Sequence, residues 1–288
     1  MKVESGITAA RQRFYFMAEE LVRKYYSEQG IKEWRRLAFD RYRRLEFDTT
    51  MHFIKKYLPK KRALVLDAGG GPGRYTIELC KVDREVVLLD MSPDMLKIAK
   101  RQIKKHGVQK KVKQIFQGSI DDLSMFENET FDCTLCLGGP LAHILDPARR
   151  ERAINELKRV AKKDSPISMS VIGRYAVLIV ELIRGPKEIE LEIFPRVRDT
   201  GDYLGGYGFA PCHFYTPEEL KETLEKKQIK ILEMVGLEGL ASGHQRETNK
   251  LARKQPKAWK EWWKTHLKTC TNPTSVGISE HFMAICKK

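Results

Sequence analysis

Apolar residues run in short blocks through the middle of the chain, and helical spacing follows each block. Leu64 to Asp67, Glu85 to Asp90, Val112 to Phe116, Phe131 to Leu137 and Pro166 to Ile172 read as strands, because they are short and bounded by turn residues. Between them, Arg74 to Cys80 opens one helix. Ser92-Pro93 opens a second that runs to about His106, with serine at the cap and proline at the first helical position. Asp146-Pro147 opens a third, to about Lys162, and Gly118 to Leu123 reads as a turn into a short helix. Such alternation of apolar strands with helices predicts a parallel sheet covered on both faces.

The flanks follow other patterns. Residues 1–60 read as helical, with aromatics at Phe14, Tyr15, Phe16, Tyr25 and Tyr26, a break at Gly30, and one wide apolar face from Ile31 to Tyr57. Residues 173–215 break the rhythm with Gly and Pro clusters and read as an insertion. Thr216-Pro217-Glu218-Glu219 starts a helix, Ile229 to Leu237 is a strand, residues 242–279 form a second, mostly helical insertion, and His281 to Cys286 is a final strand. The prediction is an α/β chain with a Rossmann-like, seven-stranded, mostly parallel sheet, the last strand antiparallel, and helices on both faces. An N-terminal helical cap at 1–60 precedes a domain at 61–288, with insertions at about 173–215 and 242–279.

Composition narrows the class. The 288 residues are 42% hydrophobic and 32% charged, a globular balance. No apolar run approaches the roughly 20 residues of a membrane span, and Met1 to Arg23 holds no signal-peptide core. Among six cysteines, Cys133 and Cys136 have metal-pair spacing but fall within a strand, where residues three apart face opposite ways. Reduced, buried cysteines, no metal site and a cytoplasmic location are expected. The net charge of +15 suits either an acidic partner or a lysine-rich solvated surface.

The candidate chemistry lies where the first strand ends: Asp67-Ala68-Gly69-Gly70-Gly71-Pro72-Gly73. Such a turn lets backbone pass close to a ligand at the carboxyl end of a parallel sheet. The dinucleotide pattern Gly-x-Gly-x-x-Gly fails, since Arg74 or Thr76 occupies its last position. A phosphate loop fails for want of lysine. Asp90 ends the second strand, 23 residues after Asp67, where a carboxylate can accept both hydroxyls of a ribose.

These residues resemble the class I S-adenosylmethionine-dependent methyltransferases over roughly residues 60–172. The Asp67–Gly73 turn looks like the first motif of that family, which contacts the methionine part of the donor. Leu89-Asp90-Met91-Ser92 looks like the second, with the acid on the ribose and the next residue on adenine. Gly118-Ser119-Ile120 looks like the third, with serine where aspartate is common. Phe131-Asp132 through Leu137-Gly138-Gly139-Pro140-Leu141 looks like the fourth, beside the reacting methyl. The resemblance implies S-adenosylmethionine as cofactor, S-adenosylhomocysteine as product, and contacts from Asp67, Gly69, Gly70, Gly71, Gly73, Asp90, Met91, Ser119, Ile120, Leu137 and Gly138.

Methyl transfer needs no protein nucleophile, but an oxygen or nitrogen acceptor can need a base. His143, just after the fourth strand, is the candidate base; a helix-packing role competes with it. His52, His213 and His244 read as structural. Arg74 is a candidate for the donor's carboxylate, Arg36 and Glu33 for a lid, and Tyr203, Tyr207 and Tyr215 for the pocket wall. The chain lacks the Asn/Asp-Pro-Pro-Tyr of adenine and glutamine methyltransferases, and no loop cysteine suits cytosine chemistry. The basic stretch from Arg246 to Lys268 interleaves Trp259, Trp262 and Trp263. It reads either as a single-stranded RNA surface or, preferably, as an amphipathic helix with lysines outward. A small-molecule acceptor is therefore expected, with an RNA methyltransferase and a non-catalytic donor-binding protein as alternatives.

Overall fold

The computed structural model describes residues 2–60 and 62–288. The expected domain boundary at Lys61, and Met1, lie outside the described residues. Seven strands form one sheet: β1 (Leu64–Ala68), β2 (Glu85–Asp90), β3 (Val112–Gln117), β4 (Cys133–Cys136), β5 (Pro166–Ile172), β6 (Lys230–Gly236) and β7 (His281–Lys287), in the order β3-β2-β1-β4-β5-β7-β6. All pairings from β3 to β5 are parallel, and β7 runs antiparallel to both β5 and β6. The expected Rossmann-like sheet with an antiparallel last strand is thus present.

The strands β1, β2, β4, β5 and β7 are buried on both faces, which is why they read as apolar blocks rather than alternating ones, whereas the edge strands β3 and β6 are partly exposed. Val65, Val86, Leu88, Cys133 and Leu135 point into one apolar cluster, and Leu66, Val87, Leu89, Cys136 and Met169 into the other. Cys133 and Cys136 therefore lie on opposite faces, and all six cysteines are free and buried. Helices α4 (Arg74–Lys81), α5 (Pro93–Lys105), α6 (Pro147–Val160) and α9 (Pro217–Lys226) cover the sheet. Their starts are set locally: the side chains of Ser92, Asp146 and Thr216 accept hydrogen bonds from the first turns of α5, α6 and α9.

Departures from the expected pattern have local causes. The apolar face from Ile31 to Tyr57 is two helices, α2 (Ile31–Arg36) and α3 (Arg41–Tyr57), not one. Asp40 takes an extended conformation and caps α3 by accepting from Arg43 N at 2.8 Å, so a helix start overrides the periodicity. Residues 118–123 form turns without a helix. Residues 173–215 are more helical than their glycines suggest: α7 (Arg174–Arg184) and α8 (Ile193–Thr200) precede a two-residue ribbon pairing Asp202–Tyr203 with Cys212–His213.

The second insertion, α10 (Gln245–Lys254), α11 (Pro256–Thr269) and α12 (Pro273–Gly277), packs against α3 and the end of β6. Trp259, Trp262 and Trp263 sit against Tyr42, Leu45 and Ala241, while Lys257, Lys260, Lys264 and Lys268 face outward. The tryptophan stripe is a packing face, with the lysines outward as expected of an amphipathic helix.

Candidate functional site

The strand order reverses between β1 and β4, and the glycine turn emerges at the carboxyl end of β1 beside that switch point. Gly69 and Gly70 both donate backbone N–H groups to Leu89 O, at 2.7 and 3.1 Å, which holds the turn against β2. Gly69 has φ +74, and a Cβ there would lie 2.5 Å from Pro140 Cγ, so only glycine fits. Gly71 also has positive φ, at +53, and a Cβ there would rise into open space 3.9 Å from Asp90 Oδ2. The turn thus leaves a cradle that any side chain would fill.

A cavity opens above this cradle. Gly69, Gly70, Gly71, Asp90, Met91, Ser119, Ile120, Leu137, Gly138 and His143 all line it. Asp67 and Gly73 do not. Asp67 is fully buried beneath the turn, accepts from Thr76 Oγ1 at 2.6 Å through Oδ2, and leaves Oδ1 without a partner. Gly73 begins α4 at φ +80, where a Cβ would lie 3.2 Å from Ala99 Cβ; its role is close packing of α4 on α5.

Asp90 is held from both sides. Gly71 N donates to Oδ2 and Ser92 N to Oδ1, each at 2.8 Å. Each oxygen keeps a second lone pair for the cavity, as a pair of vicinal hydroxyls requires. Burial raises Asp90 to about 6, against its two backbone donors. Ser119 donates to Asp121, which Arg149 and Arg152 grip at 2.7 and 2.9 Å. Asp121 is thereby turned away from the cavity, and Asp146, expected only as a helix cap, lines the wall instead.

The cavity's far wall is α1 (Lys2–Gln29), through Ala18, Glu19, Val22 and Tyr26. Glu19 pairs with Arg149 at 2.5 Å and ties that helix to α6. Arg74, a candidate for the donor's carboxylate, lines this cavity, donates to Trp34 O and lies 4.1 Å over the Trp34 ring. It fastens α2 above the glycine turn.

A second, wider space of about 800 Å³, against about 140 Å³ for the first, adjoins it. Its walls combine aromatic and aliphatic side chains, from Phe39, Val177, Ile193, Phe194 and Phe209 among others, with charged ones such as Lys32, Arg43, Glu181 and Arg184, and Tyr203 and Tyr207 contribute as expected. Tyr215 is buried elsewhere, against His213. The segment 242–279 reaches this chamber only through Gln245. The chamber is therefore formed mainly by the first insertion and α1–α2, not by the second insertion.

Tyr26, Glu33, Arg36 and Gly138 line both spaces. Arg36 binds Glu33 at 2.8 Å and Glu46 at 2.5 Å. Glu46 approaches His281 Nδ1 at 3.8 Å, and His281 Nδ1 bonds Glu238 Oε1 at 2.9 Å. Burial alone would lower the His281 imidazolium, but Glu46 and Glu238 outweigh it and raise it to about 9. Glu46, Glu238 and His281 are the one metal-competent trio among the described residues. Arg36 and the imidazolium already balance its carboxylates, so the trio is an ion-pair network. The sequence did not announce it, because its members come from α2, α3, the loop after β6, and β7.

His143, the expected base, lines the first space but not the second. Its Nδ1 lies 2.9 Å from Pro211 O and its Nε2 2.7 Å from Tyr26 Oη. Burial depresses it to about 4, against the hydrogen bond to Pro211. His213 is held between Asp202 and Glu219 at 2.7 and 2.5 Å, a structural role.

The comparisons agree with this geometry. A methyltransferase domain family matches residues 65–164, which hold the glycine turn, Asp90, Ser119 and the loop after β4. The chain is an S-adenosylmethionine-dependent methyltransferase. A ubiquinone biosynthesis O-methyltransferase of Xanthomonas oryzae pv. oryzae is 23% identical to it over 188 residues, 65% of this chain and 71% of that one. Among solved structures, a SAM-dependent methyltransferase of Methanosarcina mazei superposes at TM-score 0.56 with 20% identity, over 82% of this chain and 96% of the other. A 1,6-didemethyltoxoflavin-N1-methyltransferase of Burkholderia thailandensis, with bound 1,6-didemethyltoxoflavin and S-adenosylhomocysteine, superposes at 0.53 with 15% identity, over 93% and 88%. The structural likeness covers far more of the chain than the family match, which ends at residue 164. Among the described residues, no helix is long and apolar enough to cross a membrane.

Proposed function

We propose that this methyltransferase moves a methyl group to an oxygen or nitrogen atom of a small, largely apolar acceptor held in the chamber beneath α7 and α8. The observation that carries this reading is the shared wall of Tyr26, Glu33, Arg36 and Gly138, where the chamber meets the cavity over the glycine turn. Gly69, Gly70 and Gly71 would admit the donor's amino-acid end, Asp90 would accept its ribose hydroxyls, and Met91, Ile120 and Leu137 would flank its base. Ser170 Oγ accepts from Gly138 N at 2.8 Å and fixes the loop on which the two spaces meet. When bound, the donor supplies a methyl group already activated on a sulfonium centre. The protein's task is then to align a nucleophile with it and exclude water. Aromatic walls suit a planar or apolar molecule, and the names of the relatives, which include a ubiquinone biosynthesis O-methyltransferase and a 1,6-didemethyltoxoflavin-N1-methyltransferase, support a small acceptor.

The test is label transfer from methyl-tritiated S-adenosylmethionine into a cell extract split into small-molecule and RNA fractions. Label is expected in the small-molecule fraction. Label in RNA alone would overturn the reading.

A further inference from the structure

We propose that Tyr26 is the residue that meets the acceptor's reacting O–H or N–H, and that His143 serves as a positioning residue acting through Tyr26. The proposal rests on the acceptor occupying the chamber described above. His143 lines the cavity over the glycine turn and not that chamber, whereas Tyr26 lines both.

The direction of the hydrogen bonds follows from chemistry alone. Pro211 O is a carbonyl and can only accept, so His143 Nδ1 carries the hydrogen. The neutral ring's Nε2 is then an acceptor, and Tyr26 Oη at 2.7 Å must donate to it. Tyr26 Oη keeps its own lone pairs, and its ring lies on the wall common to both spaces. The other residues on that wall are committed or bare: Glu33 and Arg36 bind each other, Arg36 also binds Glu46, and Gly138 has no side chain.

The surroundings keep the pair neutral. Tyr25 packs edge-on against Tyr26, and Phe209 contacts both Tyr25 and His143, which excludes water. Burial, then Glu33, raises the Tyr26 phenol, with Arg36 opposing and Tyr25 and Cys212 adding to the rise. Burial holds His143 at about 4. A base this weak does not ionise an acceptor in advance. It takes the proton as the acceptor atom bonds to the methyl group and turns acidic. The acceptor's X–H bond breaks and an O–H bond forms on Tyr26. The Tyr26 O–H bond breaks and an N–H bond forms on His143 Nε2. No electrons change hands, and the imidazolium returns its proton by the same path once product leaves.

A rival base, His281, lines the chamber with Nδ1 engaged by Glu238. The two predict different pH profiles. Proton transfer through Tyr26 and His143 gives a rate that is flat from about pH 6 to 8 and falls as pH drops towards 4. Transfer to His281 gives a rate that climbs towards pH 9.

The experiment measures kcat and KM across pH for wild type, Tyr26→Phe, His143→Gln, His143→Leu and His281→Gln, with the acceptor purified from the labelled small-molecule fraction. S-adenosylhomocysteine binding by calorimetry verifies each donor site. Tyr26→Phe should lower kcat by roughly a hundredfold while donor affinity holds. His143→Gln, whose amide oxygen can still accept from Tyr26, should retain more activity than His143→Leu. Unchanged kcat in Tyr26→Phe, or a basic limb abolished by His281→Gln, overturns the proposal while the chamber reading survives. If wild type labels no small molecule at all, both fall.

Discussion

The two adjoining spaces are built in different ways. The floor of the cavity proposed for the donor is made of backbone: Gly69 and Gly71 at positive φ, a turn pinned to Leu89 O, and one carboxylate held by two N–H groups. The chamber proposed for the acceptor is made mostly of side chains from α1, α2, α7 and α8, brought together only by folding. A backbone-built site tolerates almost no substitution at its glycines. A side-chain-built site can be reshaped one residue at a time, so acceptor choice can vary while donor binding is kept.

The largest expected effect is on what the two spaces share. Arg36→Met leaves Glu33 without its cation and Glu46 with only the more distant His281, and should cost roughly 3–5 kcal/mol of stability, read by chemical denaturation. The same network sets a pH dependence. His281 titrates at about 9 in the fold against 6.5 unperturbed, so its stabilisation is full below pH 6.5 and is lost as pH rises through 9. Thermal midpoints should therefore fall between pH 7 and 9, and less so in His281→Gln.

Next in size is a change confined to the donor side. Gly69→Ala forces an L-residue to φ +74 with its Cβ 2.5 Å from Pro140. Strain of about 1–3 kcal/mol should weaken S-adenosylhomocysteine binding by roughly 10- to 100-fold. On the acceptor side, Val177→Trp fills the chamber from α7 and should cut turnover roughly tenfold or more, with donor affinity intact. The smallest effect is expected from Lys257→Glu, Lys260→Glu and Lys264→Glu together. They lie on the outer face of α11, away from both spaces, and turnover should stay within about twofold. A large loss there would revive the RNA alternative.

The same division explains what could be read from the sequence. β2 and β5 were legible to the residue, because strands buried on both faces leave unbroken apolar blocks. The glycine turn and Asp90 were legible because backbone geometry restricts residue type locally. Asp67 and Gly73 belong to that pattern for reasons of packing under and beside the turn, not of contact with the cavity. The break at Asp40 was missed because an apolar face persisted across it. Tyr26 was visible only as one aromatic in a helix; its place at the junction depends on α1 crossing the rim of a sheet that begins 38 residues later in the chain. His281 read as a strand residue, since Glu46 and Glu238 meet it only in three dimensions.

Calorimetric titration of S-adenosylhomocysteine into wild type, Gly69→Ala and Val177→Trp tests this division most directly. Val177→Trp should bind as wild type does while its methyl transfer falls roughly tenfold or more, and Gly69→Ala should bind far more weakly. Loss of binding in Val177→Trp, or wild-type binding in Gly69→Ala, would contradict it.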